Sequence, residues 1–520
     1  MNYPSSPNTK YLLLAAFLLF SQSVLTASRT IDPKHLRQLN HVGVDDSPTY
    51  IWPLPSQYTS GNQTLSVNPN LALFTSGNGG GSRIVSQAFE RYKRIIFEHA
   101  SLKLPTAGVD YDLSKLTILV RSDDEEANSI YGALHGLETL SQLCAFDYGT
   151  KTVKCTMLHG TFKISRDLNT AVFCLVDTSR HYLPIEIIKQ VIESMSFAKL
   201  NVLQWHIIDE ESFPLEVPSF PNLWKGAYTK WERYTIDDAS EIVDFAKQRG
   251  INVMAEVDVP GHAESWGTGY PDLWPSSSCR EPLDVSKNFT FDLISGILSD
   301  MKKIFPFGLF HLGGDEVNTG KKPSTAFLQV STPRRWFITG WELVFVQRLW
   351  QKVFDAFTAT KVSGILTVPW ESVYFAEPLE VITDASQQKL VLGGEVCMWG
   401  ETADASDVQQ TIWPRAAAAA EQLWSAPESG SSRNSTTVLQ RLEYFRCLLT
   451  RRGVPAAPGE EKANALTMKV ANHTQREGAF FYTHYSYLLE ASASEHYLTD
   501  VKFSGAYVEE EKRNVNRNSL

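Results

Sequence analysis

The sequence predicts an α/β protein, a (β/α) barrel preceded by a small α/β domain, and three observations carry that reading. From about Cys174 onward, near-continuous apolar strands alternate with amphipathic helices, the pattern of a parallel sheet covered on both faces. Four such units in succession open the region 170–458, which favours a barrel over a doubly wound sheet. The strands end in polar groups, where a barrel gathers its chemistry: Asp177 with Arg180, Asp209, Asp258 with His262, and Asp315 with Glu316.

The elements follow in chain order. Lys10 precedes the apolar run Tyr11–Phe20 and then SQSVLTAS, which reads as a signal peptide over 1–27. That run is too short for a comfortable membrane span, and no later stretch approaches the ~20 apolar residues that one needs. A mature protein of the secretory route, without a transmembrane helix after cleavage, is expected. Sequons at Asn62, Asn288, Asn434 and Asn472 agree with that route. Over 50–145 a small α/β domain is expected. In Ile84–Ala100, residues Ile84, Ala88, Phe89, Tyr92, Ile95 and Ile96 fall on one helical face behind a Ser82 cap. Leu116–Arg121 reads as a strand and Ala127–Leu143 as a second helix. The glycine-rich FTSGNGGGSRIV (Phe74–Val85) resembles a phosphate loop only loosely, with serine where the dinucleotide fingerprint needs glycine and no Lys-Ser/Thr after it, so it reads as a turn.

Beyond these lie the barrel units. FCLVD (Phe173–Asp177) leads to a helix at Ile185–Ala198, and NVLQWHIID (Asn201–Asp209) to DDASEIVDFAKQRG. INVMAEVDV (Ile251–Val259) leads to FDLISGILSDMKKIF, and GLFHLGG (Gly308–Gly314) follows. The formal net charge is -10 with no long basic block, which argues against nucleic acid and anionic membranes as partners. Six cysteines (Cys144, Cys155, Cys174, Cys279, Cys397, Cys447) can pair in an oxidising compartment but are too sparse to be a scaffold, so packing must hold the fold.

Acidic neighbours are common in this chain, and a solvated surface is the ordinary reading of any one. Asp315-Glu316 differs by its place after HLGG, where two glycines let a ligand approach and the strand end aims both carboxylates at one mouth. Adjacent carboxylates cannot straddle a glycosidic bond in the usual way, but one can donate a proton while the other serves a nucleophile that the substrate supplies.

DTSRHYLP (Asp177–Pro184), NVLQWHIIDEESFP (Asn201–Pro214), EVDVPGHAESW (Glu256–Trp266), HLGGDEVN (His311–Asn318) and GGEVCMWGE (Gly393–Glu401) together resemble a family 20 glycoside hydrolase, a β-N-acetylhexosaminidase of plant type. The resemblance runs from about Tyr50 to Pro458 and implies a (β/α)8, TIM-type barrel that releases terminal β-linked N-acetylglucosamine or N-acetylgalactosamine from oligosaccharides. In that chemistry the substrate's own 2-acetamido oxygen attacks the anomeric carbon, giving an oxazolinium intermediate and net retention. Asp315 would orient the acetamido group and Glu316 would protonate the leaving oxygen, then activate water. Asp209 and His262 would support that acid, Arg180 and Glu401 would bind sugar hydroxyls, and Trp399 would wall the pocket. For Arg180 the competing reading is a surface pair with Asp177, for His262 a structural histidine, and for Trp399 plain core. No cofactor is implied, and a metal site from His206, Asp209 and His262 lacks a third ligand at a recognisable spacing. The resemblance further implies a homodimer, in the apoplast or another extracellular space, or in a vacuole.

The chain also departs from the family. Between Gly314 and KLVLGG (Lys389–Gly394), which resembles the eighth strand, there is too little chain for four βα steps of roughly 30 residues each, so strands 5 to 7 are expected to be incomplete. Thr319–Leu366 does not resemble the family, the N-terminal domain is abbreviated after Glu126, and Lys154–Ala171 departs from the expected entry to the first barrel strand. A polar tail, 459–520, is unlike the family C-terminus. Cys279 and Cys447 resemble family disulfide partners whose mates this chain lacks. A catalytically impaired, secreted sugar-binding remnant is therefore the alternative to an enzyme.

Overall fold

The computed structural model describes residues 50–55, 57–58, 63–98, 110–121, 130–158, 162–163, 171–314, 317, 342–343, 370–376, 393–425, 435–458 and 481–482. The N-terminal part is a four-stranded sheet with two helices. Strand β1 (Gln63–Ser76) precedes helix α1 (Arg83–Phe97), β2 (Leu113–Leu119), helix α2 (Ile130–Leu143), β3 (Cys144–Asp147) and β4 (Thr152–Leu158), and the sheet order is β2-β1-β4-β3. The periodic face of α1 buries Val85, Ala88, Phe89, Tyr92 and Ile96, while Ile84 and Ile95 are only partly covered. Ser82 does stand at the N-cap, yet its hydroxyl makes no cap hydrogen bond. The glycine-rich stretch is a 3-10 turn at Asn78–Gly81, folded against the end of β2, where Gly79 N donates to Val120 O at 3.1 Å. Gly77 is required there: its φ is +84°, and a Cβ would lie 2.2 Å from Val120 O. The antiparallel β3–β4 pair places Cys144 opposite Cys155, and the two form a disulfide.

The barrel strands follow with helices between them. They are β5 (Ala171–Asp177), α3 (Ile185–Phe197), β6 (Val202–Ile208), α4 (Ile236–Lys247), β7 (Asn252–Val257), α5 (Asn288–Ile304) and β8 (Leu309–Phe310). Helix α4 starts on a full capping box between Thr235 and Asp238. Farther on come α6 (Trp370–Phe375), β9 (Gly393–Met398), α7 (Val408–Ile412), α8 (Arg415–Trp424) and α9 (Ser435–Arg451). Every residue of β6 and of β9 is buried, as strands covered on both faces require.

Strand order decides the architecture. β5, β6 and β7 are parallel neighbours in sequence order, and a bridge between Glu256 and His311 carries the arc on to β8. β9, late in the chain, pairs in parallel with the other side of β5, from Gly393 opposite Ala171 to Met398 opposite Val176. A last strand beside the first is how a barrel closes, whereas a doubly wound sheet would reverse direction around an inner strand. The closing strand is described from Gly393 through GGEVCM, so it takes in the end of KLVLGG, whose residues 389–392 lie outside the described residues. The segment 1–27, most of Thr319–Leu366, and the tail 459–520 apart from 481–482 also lie outside them. Two short strands add to the edges: Glu342–Leu343 is parallel to β8, and Phe481–Tyr482 is antiparallel to β9.

A buried polar network seats the N-terminal segment on the barrel. Trp52 donates its backbone N–H to Gln142 Oε1 (2.8 Å) and its indole N–H to Ala417 O (2.8 Å). Glu421 takes both Arg441 Nη atoms at 2.7 and 2.6 Å, the Tyr374 hydroxyl at 2.9 Å and Leu54 N at 2.9 Å. Lys199, fully buried, donates to Trp52 O at 3.3 Å, and burial pushes its ammonium down to about 8. The network lies behind the barrel, on the side where polar order serves stability rather than chemistry.

Candidate active site

At the C-terminal ends of β5, β6, β7 and β9 the strand-end side chains converge. Asp177 closes β5 and is buried; its Oδ1 accepts the backbone N–H of Ser179 (2.9 Å) and Arg180 (3.1 Å), and its Oδ2 accepts Gly400 N (3.0 Å). This turn aims Arg180 across the barrel mouth. Arg180 Nη1 reaches Asp177 Oδ2 and Nη2 reaches Asp209 Oδ2, both at 2.9 Å, while Nε lies 3.7 Å from both Glu211 Oε1 and Glu401 Oε1. The guanidinium also stands 5.1 Å from the Trp399 ring. Arg180 does pair with Asp177, but in the barrel mouth and not on the surface.

Asp209 is the hub. Fully buried, it accepts His206 Nε2 (2.8 Å) and Arg180 on Oδ2, and His262 Nδ1 (3.0 Å) and Glu210 N (2.6 Å) on Oδ1. Burial alone would raise its pKa; the hydrogen bonds from His206 and His262 and the charges of His206 and Arg180 outweigh that and hold it well below the usual carboxylate range. The hydrogen bond to Asp209 pushes His262 up to about 10, against its burial, so the imidazole is a cation at neutral pH. His262 sits at φ +53°, a left-handed conformation that residues with a Cβ adopt at a cost.

A second layer lies beneath. His206 and Glu256 are register partners on β6 and β7, with Nδ1 3.1 Å from Oε2, and His311 Nδ1 reaches Glu256 Oε1 at 2.6 Å. Gln204 donates to the same Glu256 carboxylate at 2.8 Å. Burial opposes ionisation of Glu256, but the charges of His311 and His206 and their hydrogen bonds hold it well below its ordinary range. His311, lowered by burial and raised more by Glu256, is pushed up to about 9. This layer was not drawn from the sequence, although alternation along a strand places Gln204 with His206, and Glu256 with Asp258, on one face. What the sequence lacked was the register that sets His206 beside Glu256.

Trp399, at the end of β9, is half-buried, packs edge-on against His206 (centroids 5.0 Å) and faces Arg180, so it belongs to the mouth rather than to the core. Glu401 is exposed beside it. Arg180, Asp209, His262, Trp399 and Glu401 are thus brought together, whereas Asp315 and Glu316 lie outside the described residues. The glycines before them serve a neighbour. Gly313 has φ +56°, a Cβ on it would fall 1.9 Å from Asp258 Oδ1, and Gly314 N donates to that oxygen at 2.8 Å. The close approach at Gly313 is therefore made by the Asp258 carboxylate, where the sequence suggested a ligand. Among the described residues no cluster of three or more His, Cys, Asp or Glu is placed to hold a metal ion. His206 and His262 both direct their nitrogens at Asp209, on opposite oxygens.

The arrangement is that of a site built to hold charge: three cations around one buried anion, at the open end of a barrel, next to an aromatic wall. Comparison with known proteins agrees with it. The family described as "Glycosyl hydrolase family 20, catalytic domain" matches residues 173–335 and 347–427, and so extends into Thr319–Leu366, where the motifs break. Beta-hexosaminidase 1 of Arabidopsis thaliana is 51% identical, with 86% of this chain and 96% of that protein covered. Beta-hexosaminidase 3 of the same plant is 42% identical over 78% of this chain and 90% of its own length. The first alignment spans 534 positions although only 86% of a 520-residue chain takes part, so that relative has internal stretches that this chain lacks. Among solved structures, the Flavobacterium johnsoniae chitobiase superposes with a TM-score of 0.64 over 82% of this chain and 76% of its own at 23% identity, a likeness of fold. With the strand-end motifs, the closing strand order and half-identity to a plant relative in agreement, this chain belongs to glycoside hydrolase family 20.

Proposed function

We propose that this protein is a β-N-acetylhexosaminidase that hydrolyses terminal, non-reducing β-linked N-acetylglucosamine or N-acetylgalactosamine by substrate-assisted, retaining catalysis. The observation that carries the reading is the Arg180–Asp209–His262 network, poised at the strand ends of a family 20 domain. In the first step the substrate's acetamido oxygen attacks the anomeric carbon while Glu316 gives its proton to the departing glycosidic oxygen. Asp315 orients the acetamido group and balances the charge that grows on its nitrogen. In the second step Glu316 takes a proton from water as the water opens the oxazolinium ring. An acid with this duty needs a raised pKa, and a neighbouring anion, Asp315, supplies it. His262, held by Asp209, supports the acid. Arg180 and Glu401 take the sugar hydroxyls, and the half-buried Trp399 offers its face to the sugar's C–H groups.

The signal peptide places the protein in the secretory route, ending outside the cell or in a vacuole, where sequon glycans and homodimer formation are expected. Of the sequons, Asn288 is described and is exposed at the first turn of α5. We extend the small domain, expected over 50–145, to Leu158, where β4 ends, and assign 170–458 to the catalytic barrel. The test is turnover of a fluorogenic N-acetylglucosaminide by the secreted protein, with Glu316→Gln as control. Release above that control supports the enzyme; wild type no faster than Glu316→Gln leaves the sugar-binding remnant.

A further inference from the structure

The residues assigned to the sugar hydroxyls stand on two turns, one after the first strand of the barrel and one after its closing strand. Strands β5 and β9 pair only as far as Val176 and Met398, so the turns beyond them, which carry Arg180 on one side and Trp399 with Glu401 on the other, lie past the ladder. Gly400 is where these turns meet. Its N–H goes to Asp177 Oδ2 at 3.0 Å, and its carbonyl oxygen lies 2.5 Å from His181 Nδ1. A carbonyl oxygen only accepts, so Nδ1 carries the hydrogen and donates it. Both backbone polar groups of Gly400 are thereby taken by the β5 turn. A Cβ on Gly400 would stand 3.1 Å from the Asp177 carboxylate and 3.3 Å from Arg180 Cβ, which leaves little more than glycine's width between the turns. The β5 turn is itself anchored, since the Tyr228 hydroxyl donates to Arg180 O at 2.9 Å and the Tyr234 hydroxyl to Leu183 O at 2.6 Å.

We propose that His181 is a positioning residue for sugar binding: its hydrogen bond to Gly400 O sets Glu401 against Arg180 and so fixes the gap that the sugar hydroxyls enter. Peptide units are planar, so the two contacts of Gly400 hold two different planes. Asp177, on the N–H, orients the plane shared with Trp399, whereas His181, on the carbonyl, orients the plane that ends at Glu401 Cα. Between the two planes is a glycine, the residue least able to hold its own dihedrals, and without His181 nothing on the carbonyl side stops that plane from turning. The distance it sets is informative. Arg180 engages Asp177 with Nη1 and Asp209 with Nη2, while its Nε stands 3.7 Å from Glu401 Oε1, longer than a hydrogen bond. Both groups therefore keep capacity for a hydroxyl placed between them. A turn slightly closer would bond Glu401 to Arg180 instead, and one slightly farther would take Glu401 out of reach of a hydroxyl that Arg180 holds.

The inference rests on the sugar-binding part of the proposed function and not on turnover. His181 is exposed, so replacing it removes little packing. His181→Asn puts an amide N–H two bonds from Cβ, where Nδ1 stands, and should keep the hydrogen bond, whereas His181→Ala removes it. His181→Gln carries its amide one bond farther out and should resemble His181→Ala with a longer side chain in place. On a fluorogenic N-acetylglucosaminide, His181→Ala should raise KM about tenfold with kcat changed less than about twofold, because Glu401 grips the sugar before and during the reaction alike. His181→Asn should stay within about threefold of wild type in both. Calorimetric titration with N-acetylglucosamine should give the same order, with Kd raised about tenfold in His181→Ala and His181→Gln and recovered in His181→Asn. A wild type that binds the sugar without turning over the glycoside would end the hydrolase reading and leave His181 to be judged on Kd. Unmoved KM and Kd in His181→Ala, even with a lower thermal midpoint, would make the histidine a mere strut and overturn the proposal. A loss confined to kcat, a His181→Asn no better than His181→Ala, or a wild type that binds no N-acetylglucosamine would overturn it as well.

Discussion

Asp209→Asn is the sharpest test of the site's electrostatics. All four contacts of the carboxylate come from donors: His206 Nε2 and Arg180 Nη2 on one oxygen, His262 Nδ1 and Glu210 N on the other. The substituted amide has one acceptor end, so whichever way it turned, its NH₂ would face either His206 and Arg180 or His262 and Glu210 N. At least two hydrogen bonds are lost, and those to charged partners are worth about 1.5–3 kcal/mol each. Removing one member of a buried ion pair costs about 3–5 kcal/mol, and the two estimates meet near 4 kcal/mol. The sign of the pH dependence follows from both partners. His262 is raised to about 10, so its contribution is fully present below the unfolded value near 6.5 and is lost as pH rises through about 10. Asp209 is depressed, so its contribution is present above the unfolded value of about 3.9 and is lost only in stronger acid. Urea denaturation at pH 5.5, 7.5 and 9.5 reads this directly. Wild type should lose stability relative to Asp209→Asn across both steps, and the variant should be weaker by several kcal/mol at pH 5.5. A variant within about 1 kcal/mol of wild type at pH 5.5, with parallel pH dependence, would refute the charge assignment.

Two further substitutions probe the frame. Arg441→Met strands the Glu421 carboxylate, which is 1% exposed, and should cost about 3–5 kcal/mol; limited proteolysis should then cut near Ile51–Leu54, and adding Glu421→Gln should recover much of the loss in denaturation experiments. Gly313→Ala adds a Cβ 1.9 Å from the Asp258 carboxylate at φ +56°, so thermal unfolding should show a loss of at least about 1–3 kcal/mol from the backbone conformation alone.

The two ends of the reasoning were unequally visible in the sequence. The barrel units could be read because strand and helix patterns differ in period, and β5, β6, β7, α3, α4 and α5 stand within a few residues of where the periodicity put them. Arg180, Asp209 and His262 could be read because they end apolar strands inside long motifs. Contacts that depend on register were hidden. His206 meets Glu256 only because β6 and β7 pair as they do, and Glu281 meets Ala263 only because a loop folds back after a turn at Ser276–Cys279. The Cys144–Cys155 pair likewise follows from the β3–β4 hairpin register, which spacing alone did not specify. At Gly313 the pattern reports only that something comes close, and it is the fold that brings the Asp258 carboxylate there.

Site and missing chain bear on different steps of the reaction. The charge network depends on β5, β6, β7 and β9, a continuous parallel arc in which each strand hydrogen-bonds the next. The stretches that the plant relative has and this chain lacks leave that arc whole, and the unmatched break in the family domain falls at residues 336–346, after the Asp315-Glu316 pair. That break lies past the residues to which the resemblance gives the proton, so what is missing bears on the rest of the sugar pocket. Protons and positioning enter the rate separately: a displaced nucleophile costs effective molarity, whereas a misplaced acid shifts the pH profile. A chain with an intact Asp209–His262 support that lacks stretches its relative has should therefore keep the family's pH profile and lose rate chiefly in kcat/KM for the N-acetyl sugar. Measuring kcat/KM against pH for this chain beside its 51%-identical relative separates the two effects. A displaced profile would locate the damage in the support network and contradict the geometry found there.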